Sequence, residues 1–252
     1  GRWRWLGTLV VVGVLLWGLS PRRGMPRPTA ANAPEVSFSS GRALALLSEL
    51  GRSPRPPGSP EHARVRGMIR QRLGELGFTN GEPYVAPVAL SGGRADVVDA
   101  TTARNVVARL EGEASTGAVL VVAPDDSRPV TSAASSGAAA GATLLEVGRA
   151  LTSGRQLRND VIVLFAGAET IGGLGTRAFA EQHPWMSDVV YAVSVAPGGG
   201  RSPAWLVPFG EVADPLHARR ATTSLSSVVQ PGLVGGDVTR VLTQAGVDGL
   251  TL

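Results

Sequence analysis

The 252-residue sequence contains no cysteine and no lysine. Without cysteine, the chain forms neither disulfides nor thiolate metal sites, and no redox compartment is excluded. Without lysine, the basic side chains other than histidine are all arginines, which do not titrate in the accessible pH range. This composition explains why the pI is about 10.8 although the formal net charge is only +4.

Aromatic residues are also scarce, at 5% of the chain, and the arginines are scattered along it. Nucleic-acid binding would need a basic stripe with interleaved aromatic residues. Arginines such as Arg64, Arg70 and Arg72 instead fit the solvent-facing sides of a predicted helix. We therefore expect no nucleic-acid partner. The hydrophobic content of 43% and charged content of 17% predict a globular chain with a sizeable core.

Residues 5–19 form an uncharged apolar run that is flanked by arginines on both sides. The run is shorter than the roughly 20 residues that a full membrane span needs, but its tryptophans are typical of membrane interfaces. A cleaved signal peptide is the rival interpretation, because residues 31–33 read A-N-A, but that site lies far beyond the run. We predict an uncleaved signal-anchor over residues 1–20, membrane contact through residues 5–19 and a main domain outside the cytoplasm.

The remainder of the chain divides into a short linker and one domain. Residues 21–40 are rich in Pro, Ala and Ser, which predicts a linker, and residues 41–252 carry alternating strand and helix patterns. Helices are predicted over residues 42–50, 60–76, 135–151, 172–182 and 238–245. Strands, some with the turn that follows them, are predicted over residues 84–90, 105–110, 118–127, 159–170, 189–195 and 249–252.

Strands that alternate with helices predict an α/β fold with a largely parallel sheet sandwiched by helices. In such sheets, ligands bind beyond the carboxyl ends of the strands. Those ends lie at residues 123–127, 167–170 and 194–198, so we expect any peptide or protein ligand to bind there.

Six segments from about Ser59 onward carry a resemblance to a known family. They read G-S-P-E-H-A-R-V-R, N-V-V-A-R-L-E-G, V-L-V-V-A-P-D-D-S-R-P-V-T, L-L-E-V-G-R-A-L, L-R-N-D-V-I-V-L-F and G-T-R-A-F-A-E-Q-H-P-W. Together they resemble the aminopeptidase Y type of di-zinc metallopeptidase, most closely its membrane-anchored, endoplasmic-reticulum-metallopeptidase-like branch. The resemblance implies a phosphorylase/hydrolase-like sandwich. Two zinc ions at its strand ends would help to cleave an amino-terminal residue from a peptide.

The same resemblance implies which positions should hold the metal ligands. The family has one histidine and three acidic ligands at the positions of Pro124, Ser136, Thr170 and Ala196. Gly137 takes the place of a further aspartate, and a final histidine would lie beyond Leu252, so we expect a domain that is incomplete at its C-terminus. Two functional positions are kept. Glu169 stands at the general-base position, and Asp126 at that of the aspartate which orients the ligating histidine.

This set of residues is poorly suited to zinc. A catalytic zinc ion needs about three nitrogen, oxygen or sulfur donors from the protein, and a zinc pair also needs a bridging group. Proline and alanine offer no side-chain donor, and neutral hydroxyls do not replace carboxylates. We expect no cofactor, and two zinc ions only if the site functions in an atypical way.

Other sites receive less support from the sequence. Asp125, Asp126 and Glu169 could form a reduced oxygen site for a hard cation, although both aspartates could simply cap the following turn. No G-x-S-x-G elbow is present, which argues against a serine hydrolase. The three histidines occupy none of the implied ligand positions and are predicted to lie at the surface: His62, His183 and His217.

A glycine-rich pattern and two aromatic residues could each serve a function, but packing explains each of them more simply. Residues 173–178 match a G-x-G-x-x-A pattern, which binds pyrophosphate when it directly follows a strand. Here residues 167–172 intervene, so tight helix–sheet packing is the preferred interpretation. Trp205 and Phe209 are candidates for the lining of a peptide cleft, but packing in the core or at an edge strand explains both more simply.

Three hypotheses about function remain. The first is a membrane-tethered pseudopeptidase, a binding or interaction domain that keeps the fold without its zinc ligands. The second is an active zinc aminopeptidase with atypical ligands, which the kept framework favours. The third is a decayed or truncated product, which would lack a cooperative unfolding transition.

Overall fold

A computed structural model describes residues 28–81, 84–91, 98–129, 137–196, 205–210, 228–229 and 237–251. The predicted signal-anchor therefore lies outside the described residues. Within those ranges, no helix combines the length and the apolar character needed to cross a membrane.

Each predicted helix and strand has a counterpart in the predicted order, and the structure adds three short strands and a 3₁₀ helix that were not predicted. The helices are α1 (Ser40–Leu50), α2 (Pro60–Glu75), α3 (Ala139–Thr152), α4 (Leu174–Gln182) and α5 (Asp237–Gln244), with a 3₁₀ helix over Pro184–Asp188. The strands are β1 (Thr79–Asn80), β2 (Tyr84–Ser91), β3 (Val98–Leu110), β4 (Ala118–Pro124), β5 (Asp160–Ala166), β6 (Val189–Ser194), β7 (Trp205–Phe209), β8 (Val228–Val229) and β9 (Gly249–Thr251). Most boundaries agree with the prediction to within a few residues, but β3 begins well before residue 105.

Local sequence signals explain where the first two helices begin. The side chain of Ser59 accepts a hydrogen bond from the backbone N–H of His62, and Pro60 takes the first position of α2, as predicted. Ser39 caps α1 in the same way. Residues 28–39, which lie in the predicted linker, form turns that are hydrogen-bonded to the start of α1.

The strands form one mixed sheet, not the largely parallel sheet that the sequence predicted. Its order is β1-β3-β5-β4-β6-β9-β7-β8, with β2 paired to β3. The central strands β5, β4, β6 and β9 are parallel, whereas β3 runs antiparallel to β5 and β7 antiparallel to β9. Residues 111–117 explain the reversal, because a parallel crossover between β3 and β4 would need a dozen or more residues.

Helices cover both faces of this sheet, as predicted, and bury two hydrophobic clusters. Strand β5 is buried at every position, so its side chains alternate between the two. One cluster packs the sheet against α1, α2 and α3 and includes Leu50, Ile69, Leu73, Leu144 and Phe165. The other packs the sheet against α4 and α5 and includes Leu120, Ile162, Phe179, Phe209 and Leu242.

Gly175 accounts for the G-x-G-x-x-A pattern as a packing feature. A Cβ at this position would lie 2.2 Å from the backbone oxygen of Gly167 and 2.9 Å from the side-chain oxygen of Asn105. The side-chain amide of Asn105 also donates to the Gly175 oxygen at 2.9 Å. The start of α4 therefore lies directly against the sheet, which supports the preferred interpretation of tight helix–sheet packing.

We expect Gly175→Ala to destabilise the fold by about 3 kcal/mol or more, because backbone must move to make room for the methyl group. Gly67, in the middle of α2, has nothing within 4 Å of the corresponding position. Gly67→Ala should instead stabilise the protein by about 0.5–1 kcal/mol, since alanine restricts the unfolded chain. Urea denaturation of both variants measures the difference, and equal effects would contradict the packing at Gly175.

Candidate functional site

A cavity of about 270 Å³ opens at the carboxyl ends of the central strands. Its wall includes Pro124, Asp126, Glu169, Thr170, Ala196 and Thr251. Strands β4, β5 and β6 therefore bring together three of the implied metal-ligand positions, although these lie far apart in the sequence. The fourth position, Ser136, lies outside the described residues.

The carboxylate of Asp126, in this wall, accepts three hydrogen bonds. It accepts hydrogen bonds from the backbone N–H of Glu169 at 3.0 Å and from that of Thr170 at 3.1 Å. The Thr170 hydroxyl donates a third, very short hydrogen bond to it. Burial raises the pKa of Asp126, while the hydrogen bonds from Thr170 oppose that rise. Asp126 thus ties the end of β4 to the turn that follows β5.

Glu169, at the general-base position, lies in the same turn. Its Oε1 accepts a hydrogen bond from the backbone N–H of Thr176 at 2.6 Å. Burial raises the pKa of Glu169 to about 8, and the nearby charges of Asp126 and Asp125 add to that rise. At neutral pH this carboxyl group is therefore mostly protonated.

The backbone that presents Glu169 is strained. Ala168 adopts φ 66°, in the left-handed region that glycine populates freely but an alanine enters only at a cost. The neighbouring contacts therefore hold a conformation that the alanine itself disfavours.

Asp125 does not join the other two carboxylates, so the proposed hard-cation site does not form. The wall of the cavity includes Asp126 but not Asp125. Instead, Asp125 Oδ1 lies 2.8 Å from Nε2 of His62, and both side chains are buried. His62 was predicted at the surface, and that prediction is wrong because α2 packs its inner face on the sheet.

Arg55 is a residue that the sequence analysis did not single out. It is 1% exposed, and its guanidinium donates hydrogen bonds to the backbone oxygens of Asp125 and Leu50. Burial lowers the pKa of Arg55, while the charges of Asp125 and Asp126 oppose that change. No local signal marks it, because its surroundings, R-S-P-R-P-P-G, have the composition of a surface loop.

The surface prediction is also wrong for His183, which is 8% exposed. Its ring stacks on Phe179 with 4.8 Å between centroids, and Nδ1 accepts a hydrogen bond from the backbone N–H of Trp185. Burial lowers the pKa of His183. His217 lies outside the described residues. Phe209 packs in the core cluster under α4 and α5, in agreement with the simpler interpretation, while the side chain of Trp205 is outside the described set.

The side chains at this site do not fit a zinc pair. Pro124 and Ala196 carry no donor atom, and Thr170 donates to Asp126. At Gly137, a Cβ would lie 2.7 Å from the backbone oxygen of Asp126 and 2.9 Å from the backbone oxygen of Pro124. The aspartate that the resemblance implies at this position therefore has no room. Among the described residues, no group of three or more His, Asp or Glu side chains could hold a metal ion.

Comparison with known families adds one direct match. The model of Peptidase family M28 matches residues 105–231, which is half of the chain. The matched region contains the cavity-lining ends of β4, β5 and β6. No curated protein matches the chain at the level of sequence.

Solved structures share the fold over most of the chain. Glutaminyl cyclase from Porphyromonas gingivalis has 19% identity and a TM-score of 0.65, over 87% of this chain and 84% of that one. A leucine aminopeptidase precursor from Bacteroides thetaiotaomicron has 16% identity and a TM-score of 0.63, over 88% and 87%. A zinc aminopeptidase from Bacillus subtilis has 13% identity and a TM-score of 0.67, over 86% and 85%. At these identities, the likeness concerns the fold alone.

The raised pKa of Glu169 predicts a specific pH dependence of stability. Because its folded-state value of about 8 exceeds the ordinary 4.5, the stability it contributes is fully present below pH 4.5 and is lost as the pH rises through about 8. Glu169→Gln removes this titration, so the unfolding free energy of the variant should fall less than that of the wild type between pH 5 and 8.

Urea denaturation at several pH values measures this difference. Glu181→Gln is the matched control, because Glu181 is half exposed and pairs with Arg177 on the same helix. We expect the control to follow the pH dependence of the wild type. The same slope in Glu169→Gln as in the wild type would show that Glu169 is ionised in the folded protein at neutral pH.

Proposed function

The chain belongs to Peptidase family M28, and we propose that it is a member which binds peptides or proteins at the strand-end cavity without cleaving them. The observation that carries this proposal is the replacement of the metal ligands by Pro124, Thr170 and Ala196 around a cavity that is still open. Ligand binding needs an open cavity, which this chain has, whereas metal-dependent cleavage also needs metal ligands, which the described residues do not supply.

Three further features support the loss of catalysis. Both oxygens of the Asp126 carboxylate accept hydrogen bonds from Glu169 and Thr170, so Asp126 stabilises the turn after β5, and Pro124 stands where the resemblance implies the histidine that it would orient. Among the described residues beside Glu169, no set of donors could hold a metal ion that would lower the pKa of a water for Glu169 to deprotonate. The closeness of Gly137 to the end of β4 leaves no space for an acidic ligand.

The size and composition of the cavity wall support a small ligand with both apolar and polar groups, because charged side chains such as Arg128 and Asp237 line it beside apolar ones. Apolar groups come from Pro124, Val195 and Val238, and hydroxyl groups from Thr170 and Ser194. A volume of about 270 Å³ suits one or two residues of a peptide rather than a large cofactor. Protonated Glu169 can donate a hydrogen bond through the oxygen that does not face Thr176, so a carbonyl oxygen of a peptide is a suitable partner.

The uncharged run at residues 5–19 supports a place for this domain at a membrane, with the domain on the extracytoplasmic side. In this proposal residues 1–20 anchor the chain, and the cavity binds ligands near the membrane.

The framework that matches the peptidase family supports the alternative of an active zinc aminopeptidase. The metal content of the protein distinguishes the two functions, because an active zinc aminopeptidase must hold zinc and a domain that only binds peptides need not.

We expect far less than one zinc ion per chain after the purified protein is loaded with zinc and desalted, because the described site lacks donors. Elemental analysis gives the stoichiometry. One or two tightly held ions would contradict the proposal and favour the active aminopeptidase, which an assay with aminoacyl substrates would then test. Absence of a cooperative thermal transition would indicate a decayed product instead.

Filling the cavity should abolish binding if it is the ligand site. Ala196 lines the cavity and is exposed, so Ala196→Trp should block it without disturbing the core. The probe is a mixture of fluorescently labelled short random peptides with free amino termini, measured by anisotropy. We expect Ala196→Trp to weaken binding at least about tenfold, which is about 1.4 kcal/mol.

Val190→Trp is the matched control, because Val190 is 57% exposed on β6 and does not line the cavity. It should bind peptides as the wild type does. Equal binding by both tryptophan variants would place the ligand elsewhere, and no binding by the wild type would contradict a peptide ligand.

A further inference from the structure

Residues 29–39, here called the arm, are fastened to the domain through the buried side chain of Glu146. Glu146 is 1% exposed, and its Oε1 accepts a hydrogen bond from the backbone N–H of Ser39 at 2.9 Å. The same carboxylate accepts hydrogen bonds from Arg42 on α1 and from Arg149 on α3, each at 2.9 Å. Burial alone would raise the pKa of Glu146, but the hydrogen bonds from Arg149 and Arg42 together lower it, so the group is ionised.

The two arginines in turn hold the backbone of the arm. Arg42 donates to the carbonyl oxygens of residues 31, 33 and 37 at 2.7–2.8 Å. Arg149 donates to those of residues 35 and 37 at 2.6 and 2.9 Å. A guanidinium presents its N–H donors in a rigid, planar fork, so these contacts fix the position of the arm. Thr29, the first residue of the arm, is hydrogen-bonded to Ser40 at the start of α1, and we call this position the exit point.

Large hydrophobic side chains are exposed around this exit point. Val36 is 62% exposed, Phe38 39% and Leu44 63%. They are three of the four exposed large hydrophobic residues in the described part of the chain, and all lie within nine residues of one another. Phe38 and Leu44 line one groove of about 200 Å³ between α1 and α3, whose floor includes Ala43 and Ala142. We call this groove, together with Val36, the arm face.

We propose that the arm face docks on the surface of the membrane to which residues 5–19 anchor the chain, so that its apolar side chains enter the lipid interface. This inference rests on the anchor proposed above. Residues 20–28 connect the apolar run to the arm, and nine residues span at most about 32 Å when fully extended.

That tether is shorter than the domain is wide. A compact domain of this size is roughly 45 Å across, so the end of the tether that is fixed at Thr29 must stay near the lipid surface. The opposite side of the domain then cannot face the membrane, because that orientation would place the exit point farther from the lipid than the tether reaches. Exposed apolar side chains at that place gain from insertion, because each loses contact with water.

The charges beside the arm fit the same partner. Residues 20–28 contain Arg22, Arg23 and Arg27 and no acidic residue. Basic residues next to a bilayer are attracted to anionic headgroups. Apolar side chains that follow such a basic segment are typical of interfacial binding. A bilayer that contains anionic lipid is therefore the occupant we infer for the arm face.

The absence of cysteine from the 252 residues allows a direct test with single-cysteine variants of this chain. Phe38→Cys and Leu44→Cys are each labelled with an environment-sensitive fluorophore and reconstituted into phosphatidylcholine–phosphatidylglycerol vesicles. Val190→Cys is the matched control, because Val190 is equally exposed but lies on β6, outside the arm face. A lipid that carries a spin label near its headgroup reports contact with the bilayer, and sedimentation with the vesicles reports anchoring.

We expect the probes at residues 38 and 44 to shift to the blue and to be quenched by the spin-labelled lipid at least about twofold more than the probe at residue 190. Sedimentation without this difference would overturn the docking and leave the anchor in place. A blue shift without lipid quenching would show that protein, such as a second copy of the chain, covers the arm face, and would also overturn it. Failure to sediment would overturn both the anchor and the docking.

Discussion

The carboxylate of Asp126 joins the two strand ends on which the candidate site depends. It stands just beyond β4, and it receives two backbone N–H groups and one hydroxyl from Glu169 and Thr170, just beyond β5. Parallel strands pair side by side but leave the loops beyond their ends free to diverge. These three hydrogen bonds hold the loops together beside the strained turn at Ala168, and they keep Glu169 in the wall of the cavity.

This arrangement gives the strand ends a network that needs no metal. Thr170 stands where the family resemblance implies a metal ligand, and it donates to Asp126. Nearby negative charge is balanced in two ways: the guanidinium of Arg55 is buried against Asp125 and Asp126, and Glu169 holds its proton to a pH of about 8. Buried carboxylates are costly unless they are paired, hydrogen-bonded or neutral. Each of the three acidic groups here meets one of those conditions.

Periodicity and capping signals predicted the helices and strands because they act over a few residues. Ser59 and Pro60 marked the start of α2, and the apolar run of β5 marked a strand buried on both faces. The antiparallel direction of β3 was not predicted. The connection over residues 111–117 indicates it, because seven residues are too few for a parallel crossover. The burial of His62 was missed because its partner, Asp125, lies on a different element.

The sequence by itself determined the order of the elements and which residues stand at the implied ligand positions, because both follow from the linear pattern of the chain. Only the tertiary structure decided how the remaining polar groups pair. It separated Asp125 from Asp126 and Glu169, buried Arg55 beside them, and folded the end of the predicted linker onto Glu146. Hydrogen bonds and burial depend on distances between residues far apart in the sequence, and packing sets those distances.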